Sequence, residues 1–462
     1  MHKSMTSEEK LIDMTESPIP RLVFKLAIPT IISMLITAFY NMADTYFVGQ
    51  VGSASATGAI GVVYPLMAIM QAIGFMFGHG SGNHMSRVLG AGDTQDASRM
   101  AATGFVSAFL AGVVMALEML LTKKPLVFLL GSTETIAPYA QSYVAFLLPG
   151  VPFLVSSLVI NNQLRFQGSA FYGMIGITAG AILNIALDPL FIFGMNMGVA
   201  GAALATSISQ AVGFALLLRG TYRKGNIAIR LRNFTPTREN FREIFRGGVP
   251  SLARQGLASV ATICLNVAAG GYGDEAIAAM SIVTRVVQMG GSAIIGFGQG
   301  FQPICGFNYG AKKYGRVRSA FWFCVKISVG VLIVVSVLAI LFAPQIISIF
   351  QKDSSRVQEI GALALRLQCV FFPLFAFVCI ANMMLQTMGI AGKATLLAVS
   401  RQGLFFIPAI FLLEKFLGLL GVQLAQPVAD LLSFALAVPL TLGTLRDLKA
   451  KEAEMRSAGE KA

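Results

Sequence analysis

The chain alternates long apolar runs with short polar interruptions, and the runs lack the two-residue alternation of a barrel strand. Each run is near the twenty residues that a helix needs to cross a hydrocarbon core. Twelve spans are predicted, at about 24–48, 57–83, 98–121, 137–160, 171–194, 198–219, 244–269, 276–302, 319–343, 361–385, 394–413 and 420–444. Helices satisfy every backbone polar group within their own segment, which lipid demands. The expected fold class is an all-α polytopic membrane protein.

The longest plainly polar connection, 220–243, separates spans six and seven. It divides the chain into an N-terminal tail (1–22), a first lobe (23–219), a linker (220–243), a second lobe (244–445) and a C-terminal tail (446–462). The lobes repeat each other. Ile28-Pro29 matches Val249-Pro250 and Gly49-Gln-Val-Gly52 matches Gly270-Gly-Tyr-Gly273, both at a shift of 221. At a shift of 220, Gly78-His-Gly80 matches Gly298-Gln-Gly300, Gly90-Ala91 matches Gly310-Ala311, and Gly201–Ala205 matches Gly421–Ala425. Five ordered matches at a nearly constant shift mark an internal repeat. Six spans per repeat preserve topology, so a pseudo-twofold along the membrane normal is expected, with a ligand cleft between two six-helix lobes.

Composition agrees: 55% of residues are hydrophobic and 12% charged, half the charge of a soluble domain. The net charge of +13 is a matter of placement. With both termini on one side, the segments on that side hold 25 Lys and Arg, while the opposite loops hold only Lys123, Lys124, Lys352, Arg356 and Lys415. That bias predicts cytoplasmic termini and contact with anionic lipid headgroups rather than nucleic acid. The five cysteines show no metal-like spacing and read as small buried hydrophobes. No cleavable signal peptide is expected. There is no phosphate-cradling lysine motif, no HExxH and no nucleophile elbow, so neither ATP nor hydrolytic chemistry is indicated.

The candidate chemistry lies in the few charges inside spans. Asn184 and Asp188 are four apart on span five, one above the other. Pro189 removes the N–H that Ile185 would bind, so a kink is expected there. A carboxylate, an amide and a freed carbonyl within one turn form an oxygen-rich spot suited to protons or hard cations. Asp44 on span one is expected at similar depth, and Thr206 on span six adds a hydroxyl. A charge in a span is costly, which makes such residues functional candidates. Two carboxylates sharing one poorly hydrated site cannot both ionise cheaply unless a cation sits between them. The second lobe differs: its spans hold Arg254, Arg285, Arg366 and Arg401, with Asp430 alone on span twelve. The repeat of Asp44 is Leu265, and that of Asp188 falls at Pro408 or Ala409, so the acidic spot is not duplicated. A structural pair of an arginine with Asp430 is one reading of these charges. Methionine (21) and phenylalanine (34) are frequent, and Met34, Met42, Met67, Met70, Met280, Met289, Met383, Met384 and Met388 lie on spans able to line a cleft for soft apolar ligands. Tyr40, Asn41, Met67, Tyr143, Arg254, Met280, Met289 and Asp430 are the expected substrate-cleft residues.

Twelve spans, the six-plus-six repeat, Asp44 and Asn184-x-x-x-Asp188-Pro-Leu-x-x-Phe-Gly194, with Gly201-Ala-Ala-Leu-Ala-Thr206, resemble the multidrug and toxic compound extrusion (MATE) transporters over residues 20–445. Missing acids on spans seven and eight point to the DinF-like, MepA-type bacterial branch. The resemblance implies a V-shaped pair of lobes, alternating access, and antiport of H⁺ or Na⁺ against amphipathic organic cations. It places the coupling site at Asp44, Asn184, Asp188 and Thr206, which would be the ligands if the ion is Na⁺. It implies no cofactor and no catalysis, a monomer in the bacterial plasma membrane, and drugs and lipids as partners. A related alternative is a lipid-linked saccharide flippase.

Overall fold

The computed structural model describes residues 6–51, 54–351 and 354–459; within its helices the side chains at 41, 42, 44, 45, 54, 56, 57, 458 and 459 lie outside the description. Among the described residues, twelve helices are long and apolar enough to cross a membrane. They follow a short helix, α1 (Ser7–Glu16), whose start is a capping box: Thr6 Oγ1 accepts from the Glu9 N–H and Glu9 Oε2 accepts from the Thr6 N–H. The first-lobe spans are α2 (Ile19–Gly49), α3 (Ala54–Gly90), α4 (Thr94–Leu129), α5 with α6 (Ala137–Leu147, Val151–Phe166), α7 (Ala170–Pro189) and α8 (Val199–Thr221). The second-lobe spans are α9 (Arg238–Gly270), α10 (Asp274–Gly310), α11 (Tyr314–Leu341), α13 (Ser355–Thr387), α14 with α15 (Ala391–Val399, Ile407–Leu417) and α16 (Leu419–Gly459). A short α12 (Ala343–Phe350) follows α11. Most helices overrun their predicted spans, because caps rather than hydropathy end them: Asp93, Thr237 and Ser354 accept from free N–H groups at the starts of α4, α9 and α13.

The repeat is visible in the backbone. Gly168 (φ +78°) and Gly389 (φ +77°) turn the chain at one place in both lobes, as do Gly198 (φ +55°) and Gly418 (φ +61°). Where the first lobe has Gly92 (φ +85°), the second holds Lys312 in the same left-handed region (φ +56°).

The repeated glycines also form the seam between lobes. The α3 helix packs on α9, and α2 on α10. A Cβ at Gly80 would lie 2.1 Å from the Ile244 carbonyl oxygen, and one at Gly300 2.5 Å from Ala27 Cα. A Cβ at Gly90 would lie 2.2 Å from the Phe307 carbonyl, and one at Gly310 1.9 Å from that of Arg87. Small residues let helix backbones approach this closely. All four contacts lie in the halves of the helices nearest the termini, so that end of the molecule is closed. The outward faces are apolar, with Leu121, Val334, Leu341 and Val370 largely exposed as lipid requires.

Candidate functional site

The span-five turn is more elaborate than a proline kink. The α-helix ends at Pro189 and continues as one π-helical turn, Leu190–Gly194, in which the Met195 N–H donates to the Leu190 carbonyl at 2.9 Å. π-turns concentrate at functional places because they re-aim side chains. Gly201 brings α8 against this turn; a Cβ there would meet the Phe191 carbonyl carbon at 2.7 Å. The result is a polar spot inside an apolar lobe. Asp188 is 0% exposed, with Asn184 and Thr206 at 1%. One orientation of the Asn184 amide serves both neighbours: its nitrogen donates to Asp188 Oδ2 (3.1 Å) and its oxygen accepts from the Thr206 N–H (3.1 Å). Turned over, the nitrogen reaches Thr206 Oγ1 at 3.3 Å. The structure thus brings together Asn184, Asp188 and Thr206. The side chains of Asp44 and Asn41 lie outside the described residues, while the backbone at both positions is helical.

The other candidates scatter. Tyr143 is fully buried in the first-lobe core, its hydroxyl 3.8 Å from the Met67 sulfur. Met280 is buried in the second-lobe core, with Met383. Met70, Met384 and Met388 belong to the main core; Met34, Met67 and Met289 are half-buried, and the Met42 side chain lies outside the described residues. Tyr40 is half-buried as well. Arg285 and Arg366 are exposed, and Arg366 Nε donates to the Ile340 carbonyl at 3.3 Å. Arg254 is half-buried and, among the described residues, has no hydrogen-bond or ion-pair partner. Arg401 pairs with Asp430, its Nε 2.6 Å from Oδ1. That pair also sits at a π-turn, Ser400–Phe406, in span eleven.

A polar layer in the seam escaped the sequence reading. Arg165, expected in a loop, lies inside α6 and is 2% exposed. Its Nη1 donates to the Gln299 carbonyl (3.0 Å) and Gln302 Oε1 (2.8 Å), and its Nη2 to Asn162 Oδ1. His79 Nδ1 lies 3.1 Å from Ser251 Oγ, which also accepts from Gln386 Nε2 (2.8 Å). Thr387 Oγ1 donates to Asn83 Oδ1 (2.9 Å). Nearer the termini Glu243 joins two arginines and a histidine: Arg87 Nη2 (2.8 Å), Arg246 Nη1 (2.9 Å) and His84 Nδ1 (3.4 Å), with His84 Nε2 2.7 Å from Asp96. Polar residues recurring in α3, α6, α10 and α13 were the available signal; attention to acids alone passed over them.

The N-terminal helix straps this closed end. Lys10 Nζ reaches Ser169 Oγ and Asn226 Oδ1, both at 2.5 Å, while Asn308 Nδ2 of the second lobe donates to the Met14 carbonyl (3.0 Å). Burial, with the Lys25 charge nearby, lowers the Lys10 ammonium pKa to about 7. Burial pushes the Asp13 carboxyl up, but hydrogen bonds from Lys25 and Ser17 outweigh it and hold the group below the usual carboxylate range.

Two six-helix lobes, a closed seam at one end and buried polar spots inside apolar bundles define a multi-pass membrane transporter rather than an enzyme. Known proteins say the same. The MatE family model matches residues 29–190 and again 250–412, once per lobe, and the chain belongs to that family. It is 28% identical over 450 residues to the multidrug export protein MepA of Staphylococcus saprophyticus, spanning 97% of this chain and 99% of that one. With MepA of Staphylococcus aureus it shares 29% over 443 residues, covering 95% and 97%. Among solved structures, it superposes with a TM-score of 0.90, at 26% identity over 97% of this chain and 100% of the other, on one described as the outward-facing conformation of a multidrug resistance MATE family transporter of the MOP superfamily. A MOP superfamily transporter from Pyrococcus furiosus, described in terms of a binding pocket of reversed polarity, matches with a TM-score of 0.89 at 26% identity over 97% and 100% of the chains.

Proposed function

We propose that this chain exports amphipathic organic cations by exchanging them for H⁺ or Na⁺ across a bacterial plasma membrane. The observation that carries the reading is Asp188, fully buried at a π-turn and hydrogen-bonded by Asn184 beside Thr206. A carboxylate in such a place binds a proton or a small cation, and a site whose occupancy differs between two conformations lets a gradient bias them. Asp44 completes the coupling site in this reading, with Asp188, Asn184 and Thr206 as Na⁺ ligands if the ion is sodium. The Lys and Arg bias supports cytoplasmic termini, so the closed end faces the cytoplasm and the state is outward-facing. Multidrug export by relatives over nearly the whole chain supports the substrate class and action as a monomer within lipid.

The test is dye efflux from everted vesicles with ΔpH and sodium gradients imposed separately. Asp188→Asn should fold and abolish gradient-driven efflux; wild-type efflux by the folded variant overturns the coupling site. The flippase reading keeps one supporting observation, Arg254, which has no hydrogen-bond or ion-pair partner among the described residues. Protection of cells against anionic compounds only, with none against cations, would favour it.

A further inference from the structure

Asp430 lies inside α16, within the apolar run 420–444, and its side chain is 0% exposed. It is held from two sides. Arg401 donates through Nε (2.6 Å) and Nη2 (3.4 Å), and Gln426 Nε2 donates to the same Oδ1 at 2.8 Å. The Arg401 guanidinium also lies over the Phe375 ring, its Cζ 4.4 Å from the centroid. Phe372 stacks on Phe375 with centroids 5.8 Å apart and planes within 2°. A buried carboxylate beside a stacked aromatic pair is the arrangement that binds flat or quaternary organic cations: the carboxylate supplies charge and the ring face supplies cation–π attraction. Here the occupant is a side chain of the protein itself.

Two features mark that occupant as exchangeable. Arg401 is 20% exposed where Asp430 is sealed, so the guanidinium is the exposed lid over the carboxylate. It projects from the π-turn Ser400–Phe406, whose looser winding re-aims side chains at small cost.

We propose that Asp430, Phe375 and Gln426 form a second-lobe docking site for the cationic aromatic head of an exported compound, and that Arg401 is a tethered competitor which the compound displaces. The proposal rests on the export of organic cations argued above, and places part of their recognition in the lobe opposite the coupling site. A purely structural ion pair predicts the reverse response to mutation. Removing the arginine from a structural pair leaves a buried charge bare and harms the site; removing a competitor vacates it.

The experiment is a fluorescence anisotropy titration of ethidium, an aromatic monocation, against the purified full chain in nanodiscs. Arg401→Met should tighten binding tenfold or more, and adding Asp430→Asn to it should abolish the gain. Phe375→Leu, which keeps apolar volume and the ion pair, should weaken binding about fivefold or more and decides the matter if Arg401→Met does not fold. Unchanged or weaker ethidium binding by folded Arg401→Met, or unchanged binding by Phe375→Leu, overturns the proposal. Vesicle efflux is read in parallel on the same variants. Gradient-driven ethidium efflux by wild type, with binding insensitive to Arg401 and Phe375, sinks the docking site and leaves the export reading standing. Arg401-dependent binding without gradient-driven efflux does the opposite.

Discussion

A methyl group at position 80 has nowhere to go. Its carbon would lie 2.1 Å from a backbone oxygen of the facing helix, and backbone cannot rotate aside as a side chain can. Gly80→Ala therefore forces α3 from α9 at the closed end, an overpacking cost of about 1–3 kcal/mol. The expected outcome is a population shifted toward opening at the termini end. It is read as a longer distance between spin labels on α4 and α11. Gly443→Ala is the control, since nothing lies within 4 Å of its added carbon, and it should leave the distance unchanged. The same argument at Gly300 gives the same direction through Ala27.

At the scale of an element, span five needs its winding defect. Pro189→Ala returns an N–H to the Ile185 carbonyl and favours a regular α-helix through the turn. A register change of even part of a turn carries Asn184 and Asp188 away from Thr206 on α8. The variant should melt at the same or a higher temperature than wild type while losing gradient-driven dye efflux; retained efflux would show that the π-turn is dispensable. The N-terminal helix gives a pH prediction. Undocked Lys10 has the ordinary lysine pKa near 10.4, and docked Lys10 about 7. Between those values the undocked state holds more protons, so docking strengthens as pH rises and is weakest below about 7. The Asp13 carboxyl, depressed in the docked state, loses its contribution only in acid, well below this window. A fluorophore on Ser7→Cys should therefore gain anisotropy from pH 6.5 to 9, and Lys10→Met should flatten the response.

The whole molecule is two bundles held shut at one end by glycine contacts, a buried polar layer and one carboxylate. Glu243 joins Arg87, Arg246 and His84 across α3 and α9, and Arg87 Nη1 also donates to the Thr387 carbonyl of α13 at 2.8 Å. Losing one charge-assisted contact of this kind costs about 2 kcal/mol, about thirtyfold in a two-state balance. Glu243→Gln should open the termini end in the same spin-label measurement, with protein yield unchanged. Tags at the termini and within 220–241 should be reached only from the cytoplasm. An outside-accessible linker would invert the assignment of the closed end.

Span number, helical class and the six-plus-six repeat were legible in the sequence because they follow from the bilayer: run length sets the spans, and duplicated glycines keep their spacing after the rest has drifted. The span-five motif was legible for the same reason, since one carboxylate in an apolar run stands out, and its asparagine four residues before needs only helical geometry to reach it. Other features were decided by the tertiary structure. That the repeated glycines are the seam depends on which faces meet. Arg165 became a buried seam residue because its helix overran the apolar run that suggested a loop. The pairing of Arg401 with Asp430 over Phe375 joins positions 29 apart in the chain through a third helix. Hydropathy reports the solvent that a segment prefers; it carries no information about the azimuth at which two helices meet, and that angle selects which buried charges become neighbours.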